Sequence, residues 1–264
     1  MTRAPYHTRR WYSPGVPFKV FSLRERPDLE DEFERLAEAS WPVFLRQRDE
    51  LGYGQYWPSL YTTWAEWQLV LVDGMGPTIA ATHAVPLVWS GDVGDLPSSI
   101  AEILRRAEAD RAAGRAANAL CALAAMVDPR YRRRGMSTAA VRAMADLART
   151  HRFASLLAPV RPAAKSAYPL APMERYARWT NDDGLPVDPW IRVHARMGAQ
   201  ILAVAPRTLA IRGTVAQWER WTEMRFPDSG PYVVPGALQP VVVDRDADDV
   251  RYEDPNVWMR HAIE

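Results

Sequence analysis

The 264-residue chain contains a single cysteine, Cys121. One thiol excludes a disulfide framework within the chain, and without cysteine pairs there is no zinc ribbon or finger. A reducing compartment is therefore expected. Cys121 lies among alanines and leucines, so we expect a small buried thiol rather than a nucleophile. The histidines show no metal-ligand spacing, so we predict no metal; they are His7, His83, His151, His194 and His261.

Long apolar runs and an excess of one charge are also missing. The longest apolar run, ALCALAAMV at 119–127, is too short to cross a bilayer, and the first fifteen residues lack the apolar part of a secretion signal. Lysine and arginine total 33 against 32 acids, a net charge of +1. This balance supplies no general field toward nucleic acid or an anionic membrane. We expect a cytoplasmic protein that binds neither, with any anion affinity confined to a local site.

Four consecutive segments predict an α/β fold. An apolar strand at 119–127 is followed by a glycine-containing turn at 128–136, a helix at 137–151 and an apolar strand at 154–160. A strand, a helix and a second strand in this order predict a parallel crossover. The chain length suits one large core better than two equal domains.

Patterns elsewhere predict further elements around this unit. Pro27 is expected to open a helix with Asp28 as its cap, and Thr214 and Gln217 have the spacing of a capping box. Residues 161–189, rich in proline and polar residues, are interpreted as an insertion. The remaining predicted elements are a strand at 18–23, a hairpin at 68–89, a helix at 100–113, a helix at 189–197, a strand at 200–205 and a hairpin at 232–244.

The turn within MVDPRYRRRGMSTAA, residues 126–140, crowds arginines against Gly135. A glycine turn between a strand and a helix lets backbone N–H groups converge on an anion, and the helix N-terminus adds partial positive charge. Flanking arginines supply charge-assisted hydrogen bonds to phosphate. The turn lacks the lysine of a P-loop and the three glycines of a dinucleotide-binding loop. It therefore indicates a phosphate site that favours neither a nucleoside triphosphate nor NAD.

This turn resembles the acetyl-CoA signature of the GCN5-related N-acetyltransferase (GNAT) superfamily, whose core pattern is Arg/Gln-x-x-Gly-x-Gly/Ala. Ser137 stands in the last place of the pattern, and its side chain is small enough for the backbone to approach a ligand. Segments LLAPVRPAAKSAYPL, DPWIRVHARMGA and SGPYVVPGAL also look like parts of actinobacterial and related acyltransferase-like proteins. The matching residues of the turn are Val127, Pro129, Tyr131, Arg132, Arg134, Gly135 and Ser137.

The resemblance implies a GNAT-like fold: a mixed, mostly antiparallel twisted sheet with a central parallel β-α-β crossover and helices on both faces. It also implies three parts. These are an N-terminal arm at 1–17, an acyltransferase core at 18–212 with the insertion at 161–189, and a C-terminal extension at 213–264 packed on the core.

In this family the turn amides hold the CoA pyrophosphate, so the resemblance implies acetyl-CoA or another acyl-CoA as co-substrate. It places an oxyanion donor on the backbone near Met126 and Val127. Lys165 is a further candidate, for a CoA phosphate or a substrate carboxylate. The expected CoA-binding residues are Met126, Val127, Arg132, Arg133, Arg134, Gly135, Met136, Ser137, Thr138 and Lys165.

Two residues are candidates for the acid that protonates the CoA thiolate. The family usually has a tyrosine four residues before the glycine that ends the last core helix, and that place, counted back from Gly198, holds His194. An imidazole with a pKa near ~6.5 can donate or accept a proton at neutral pH. Tyr168, in the insertion, is the competing acid. A packing role is the alternative for both.

No general base stands out, because the strand at 119–127 carries no carboxylate, where the family commonly has one. Glu66, Asp73, His83 and Glu174 are unranked candidates, together with a chain of waters.

An aromatic run at 53–67 lies where the family has substrate-binding loops. Tyr56, Trp57 and Tyr61 are therefore candidates for an acceptor or acyl pocket, because rings give large contact area at small entropic cost. Core packing is the alternative.

The leading hypothesis is an acyl-CoA-dependent acyltransferase, first of all an N-acetyltransferase, acting on a small-molecule amine by direct attack in a ternary complex. One alternative is transfer of a longer acyl group or decarboxylation of an acyl thioester. Another is a non-catalytic acyl-CoA-binding or interaction module. The expected partner is a small-molecule acceptor, with no nucleic acid and no membrane, and a homodimer is left open.

Overall fold

The computed structural model describes residues 11–13, 16–74 and 76–264. Its strands form a ten-stranded sheet in which all neighbours are antiparallel except one parallel pair. The predicted α/β class is confirmed. Residues 1–10 and 14–15, which make up most of the predicted N-terminal arm and include His7, lie outside the described residues.

The strands run in the order β1-β2-β3-β4-β5-β6-β10-β9-β8, and β7 pairs with β10. The parallel pair is β5 and β6, joined by the crossover helix as predicted. The strands are β1 (Trp11–Ser13), β2 (Val16–Ser22), β3 (Leu69–Val72), β4 (Thr78–Leu87), β5 (Ala119–Val127), β6 (Ser155–Val160), β7 (Gln200–Gly213), β8 (Gly230–Tyr232), β9 (Val241–Asp244) and β10 (Asp249–Ala262).

Six α-helices are described: α1 (Asp31–Ser40), α2 (Ile100–Ala112), α3 (Met136–Thr150), α4 (Met173–Tyr176), α5 (Pro189–Arg196) and α6 (Val215–Thr222). Thr214 and Gln217 form the predicted capping box of α6. The prediction that Asp28 caps the first helix is wrong, because its carboxylate binds the guanidinium of Arg26 and α1 begins only after a short 3-10 turn. Within the described ranges, every helix is too short or too polar to span a bilayer.

Helices cover both faces of the sheet, and the alternation of side chains along β3 shows which helix lies on which face. Val70 and Val72 pack in one cluster with Phe33 of α1. Leu69 and Leu71 belong to the larger cluster, which contains the apolar side of α3. The α1 face and the α3 face are therefore opposite sides of one sheet.

The sheet splits between its two parallel strands. β5 and β6 are paired over only three residues, 119–121 with 155–157. Beyond them β5 stays with β4, and β6 follows β10, pairing up to Val160 with Val257. Because each strand keeps its outer partner, a gap opens toward the carboxyl ends of the pair, beside the start of α3.

The last long strand, β10, comes from the segment expected as a C-terminal extension. It lies between β6 and β7 and hydrogen-bonds to both. A strand at 249–262 was not predicted from the sequence. Its pairing with β7 is irregular between Asp254 and Asn256, where Pro255 stands and cannot donate a ladder hydrogen bond.

Candidate active site

A cavity of about 320 Å³ occupies the gap between β5 and β6. Residues 122–126 of β5 and 158–161 at the end of β6 form its walls. Phe33 of α1 lines it on one face of the sheet, and Met144 of α3 lines it on the other. The cavity therefore passes through the sheet, so two molecules can approach one point from opposite sides.

A bulge in β5 disturbs the backbone at the cavity wall. His83 of β4 is opposite Ala124 while Ala84 is opposite Ala122, which leaves Leu123 as an extra residue. A bulge takes a peptide group out of the regular ladder, so that group is available to a ligand. This irregular point lies three residues before Met126, around which the oxyanion donor was expected.

The turn after β5 has the conformation of an anion site. Gly135 is in the left-handed region at φ 76° and is the N-cap of the fifteen-residue helix α3. In the described residues, the amides of Gly135, Met136 and Ser137 donate to no backbone carbonyl. These donors converge at the positive end of the helix dipole, which is the arrangement that binds phosphate.

The arginines of the turn divide into two roles. Arg133 and Arg134 are exposed beside Gly135, and the guanidinium of Arg134 lies 5.8 Å from the ring of Tyr131. Arg132 donates to the carbonyl of Ala39 at 3.3 Å, which ties the turn to the end of α1. The first two are therefore placed to reach an anion on the turn.

The chain resembles known proteins along nearly its whole length. No family model matches it. The arginine N-acetyltransferase avaD of Aspergillus versicolor is 29% identical, with 95% of each chain covered. The GNAT-like decarboxylase GphF, solved with isobutyryl-CoA, has a TM-score of 0.59 at 18% identity, covering 93% of this chain and 99% of that one. The loading GNATL domain of CurA from Lyngbya majuscula has a TM-score of 0.56 at 13% identity, covering 93% and 98%. The last two show the fold alone.

The chain is similar along nearly its whole length to a named N-acetyltransferase, and its fold is that of the GCN5-related N-acetyltransferase superfamily. The resemblance read from the turn is thereby confirmed. The similarity to a named N-acetyltransferase supports an acyl-CoA N-acyltransferase over the non-catalytic module.

Asp128 holds the turn in place, a role that was not predicted from the sequence. Its buried carboxylate accepts three hydrogen bonds from Arg130, through the backbone N, Nε and Nη2, and one from Nη1 of Arg35 at 2.8 Å. Arg130 first, and then Arg35, hold the pKa of this carboxyl well below its usual range. The signal was the Asp-Pro pair at the start of the turn, which is typical of turn initiation.

Asp128→Ala is expected to lower the free energy of unfolding by about 1 kcal/mol, because it removes the carboxylate that caps the 3-10 turn and holds the guanidinium groups of Arg130 and Arg35. Acyl-CoA affinity should fall about tenfold as the turn loosens. Asp92→Ala is the matched control, because Asp92 caps another 3-10 turn through the amide of Gly94 at 2.7 Å, away from the cavity. Urea unfolding and calorimetric titration measure both effects; equal affinities in the two variants would contradict the assigned role.

His194 lines the cavity on the α3 face as a buried, neutral ring. Burial, and then the neighbouring His261, lower the pKa of His194 to about 3. Nδ1 of His194 lies 2.9 Å from Nε2 of His261, and the other side of the His261 ring is hydrogen-bonded to the backbone of Met197. A backbone carbonyl accepts only, so the hydrogens are assigned to Nδ1 of both rings. Nε2 of His194 is then bare: it can take up a proton but has none to give.

Tyr168 and Lys165 lie outside the walls of the cavity. Tyr168 is 46% exposed and packs edge-on against Trp179. The ammonium of Lys165 is buried and donates to the carbonyls of Tyr168, at 2.8 Å, and Leu238, at 2.6 Å. The structure therefore gives Lys165 a role in fixing the insertion and does not bring it to the turn.

Of the four candidate bases, the structure brings His83 alone to the cavity. Glu66 pairs with Arg24 at 3.2 Å, Asp73 accepts from the hydroxyl of Tyr131, and Glu174 is exposed on α4.

The aromatic run forms the wall of the cavity on the α1 face. Trp57 and Tyr61 line it together with Tyr53, whereas Tyr56 does not. The rings interlock: Tyr53 and Trp57 have centroids 5.1 Å apart, and Tyr61 meets Phe33 at 5.8 Å. This wall limits which molecules can reach the gap between β5 and β6 from the α1 face.

Proposed function

We propose that the chain transfers an acetyl group from acetyl-CoA to the nitrogen of a small-molecule amine, by direct attack in a ternary complex. The observation that carries the proposal is the gap between β5 and β6. It passes through the sheet from Met144 of α3 to the aromatic wall on the α1 face, and the turn that begins α3 follows directly on β5.

The donor half of the site consists of the turn and the gap. The amides of Gly135, Met136 and Ser137 suit the pyrophosphate, with Arg133 and Arg134 beside them; Arg132 and Thr138 flank the same turn. The gap is bordered by small side chains, including Ala122, Ala124, Ala125 and Ala158, which leave room for an extended acyl-carrying arm. Met126 completes this wall, whereas Val127 does not line the cavity.

During acyl transfer, charge develops on the attacking nitrogen and on the carbonyl oxygen of the thioester. The amine lone pair forms the N–C bond while the carbonyl electron pair moves onto oxygen, and collapse of this oxyanion breaks the C–S bond. The backbone freed by the Leu123 bulge is placed to donate to the oxyanion, in a site where water is displaced. The thiolate needs little help in leaving, since thiols have a pKa near ~8.5.

We propose an amino acid as the acceptor class, with arginine as the first compound to test because the relative avaD is named for it. Arg161 supports this choice. It lines the cavity directly after β6. Its Nε donates to the carboxylate of Asp254 at 3.0 Å and its Nη2 donates to the carbonyl of Gly236, so the guanidinium is held in place. A fixed guanidinium at the wall is suited to a substrate carboxylate.

Transfer of a longer acyl group is a second candidate. A cavity of about 320 Å³ with aromatic walls has room for more than an acetyl group. Thiol release should therefore be measured with acetyl-, propionyl-, isobutyryl- and malonyl-CoA, each with and without arginine. The proposal predicts release that requires the amine and is fastest with acetyl-CoA. Release from malonyl-CoA without any amine would contradict it in favour of decarboxylation.

His194→Gln is expected to change kcat by less than about threefold, because the neutral His194 ring has no proton on Nε2 to give and a thiolate can leave without one. Tyr168→Phe is expected to leave kcat unchanged. The comparison is steady-state thiol release at saturating acetyl-CoA. A large loss of kcat in His194→Gln would contradict this expectation, and a loss in Tyr168→Phe alone would mean that an acid comes from the insertion.

A further inference from the structure

His83 is a histidine buried in the aromatic wall. It lies on β4 opposite Ala124 of the bulged strand and is 2% exposed. The rings of Phe33, Trp57 and Tyr61 surround it, with centroids 4.7, 4.9 and 5.7 Å away. It borders the cavity on the α1 face, beside Phe33 of α1.

The hydrogen bonds of Gln68 determine which nitrogen of His83 carries hydrogen. Nε2 of Gln68 donates to the carbonyls of Trp64, at 2.7 Å, and Ala84, at 2.9 Å, so the amide cannot be turned around. Its Oε1 therefore faces His83 Nδ1 at 2.9 Å and also accepts from the amide of Ala84 at 3.3 Å. An amide oxygen only accepts, so Nδ1 is the protonated nitrogen. Nε2 of His83 is left with its lone pair and makes no hydrogen bond with any described residue.

We propose that His83 is the catalytic residue that takes the proton of the attacking amine, and that Gln68 is the residue that positions it. The proposal rests on the acyl transfer proposed above. As the N–C bond forms, the nitrogen becomes positively charged; its proton passes to Nε2 of His83, and the electron pair of the broken N–H bond stays on nitrogen as the amide forms. The proton later leaves to solvent.

The surroundings suit a base that is charged only briefly. Burial lowers the pKa of His83 to about 3, so Nε2 is bare at neutral pH. During the reaction the oxyanion provides an opposite charge, which favours the protonated ring. The rings of Phe33, Trp57 and Tyr61 also lie within about 6 Å, the distance at which an aromatic ring can attract a cation.

The other basic groups of the cavity are less suited. Asp254 already accepts from Arg161 and from the hydroxyl of Tyr252 at 2.6 Å. Glu34 also lines the cavity, but its carboxylate is largely exposed to solvent. Its Oε1 lies 3.7 Å from Nη1 of Arg46. His83 thus combines an open lone pair with a fixed orientation on the side from which the amine arrives.

His83→Asn keeps a donor toward Gln68 but removes Nε2. We expect kcat with arginine and acetyl-CoA to fall by about 10²- to 10⁴-fold, while the rise in melting temperature caused by acetyl-CoA is retained. His151→Asn, in an aromatic cluster outside the cavity, is the histidine control and should keep wild-type kcat. Unchanged kcat in His83→Asn would overturn the assignment. No acetyl-CoA effect in the wild type would instead refute the acyl transfer itself.

Nitrogen-15 NMR of the imidazoles tests the tautomer without any substitution. We expect His83 in the wild type to show hydrogen on Nδ1 and a bare Nε2. In Gln68→Met we expect both tautomers, a lower kcat and an unchanged KM for acetyl-CoA. Hydrogen on Nε2 in the wild type, or a normal kcat with mixed tautomers, would overturn the role of Gln68.

Discussion

Gly135→Asp is expected to abolish detectable acyl-CoA binding, whereas Gly135→Asn should retain most of it. Gly135 has φ 76°, and asparagine and aspartate tolerate this conformation better than other side chains. The two variants have almost the same size and differ in charge. A carboxylate about 4 Å from one phosphate charge costs about 4 kcal/mol at an effective dielectric constant of 20, which is on the order of a thousandfold in affinity.

Calorimetric titration with acetyl-CoA, supported by thermal unfolding, measures this difference. For the wild type, a ligand at a hundred times its Kd should add about 2.7 kcal/mol to the free energy of unfolding. Equal affinities for the Asp and Asn variants would mean that no phosphate lies against this turn.

Acidification from pH 6.5 to pH 5 is expected to destabilise the protein by about 2 kcal/mol for each buried cavity histidine. The pKa values of His83 and His194 are about 3 in the folded protein, against about 6.5 for an unperturbed imidazole. The unfolded chain therefore binds more protons between these values. The stabilisation is complete above pH 6.5 and is lost progressively as the pH falls toward 3. The pKa of His261 is lowered as well, which adds to the effect.

Urea unfolding at pH 7, 6 and 5 tests this expectation. Carboxylates with lowered pKa, such as Asp128, contribute only at lower pH, so the interval above pH 5 reports the histidines. His83→Asn should remove a large part of the slope there. A free energy of unfolding that does not change between pH 7 and 5 would show that these rings are charged or exposed in the native protein.

The crossover unit could be predicted because its signals are local. β5 is a continuous apolar run, Gly135 marks the left-handed residue directly before α3, and the second apolar run gives β6. The capping box of α6 was equally readable, since it needs only two residues at fixed spacing.

The centre of the sheet could not be predicted in the same way. β10 contains Pro255, and its apolar and polar residues do not alternate regularly, because much of the strand is buried on both faces. Its pairing with β7 is also irregular. Nothing local indicates that the end of the chain returns to lie beside β6. The gap between β5 and β6 could not be predicted either, because it arises where β5 stays paired with β4 and β6 stays paired with β10.

The candidate site was only partly visible for a related reason. The sequence identified the turn that follows β5, and it also proposed Trp57, Tyr61 and His194, which line the cavity. It left His83 unranked, because the role of this ring depends on Gln68, fifteen residues away along the chain and across one pair of strands. A hydrogen bond between side chains on neighbouring strands leaves no recognisable pattern in the spacing of residues along the sequence.

The most direct test of the account is mass spectrometry of arginine incubated with acetyl-CoA and the wild-type enzyme, with parallel measurement of free CoA thiol. The account predicts acetylated arginine, or another acetylated amino acid from a panel of them, in one-to-one amount with the thiol released. Thiol released without any acetylated amine, or acetyl-CoA bound and never consumed across the panel, would contradict it.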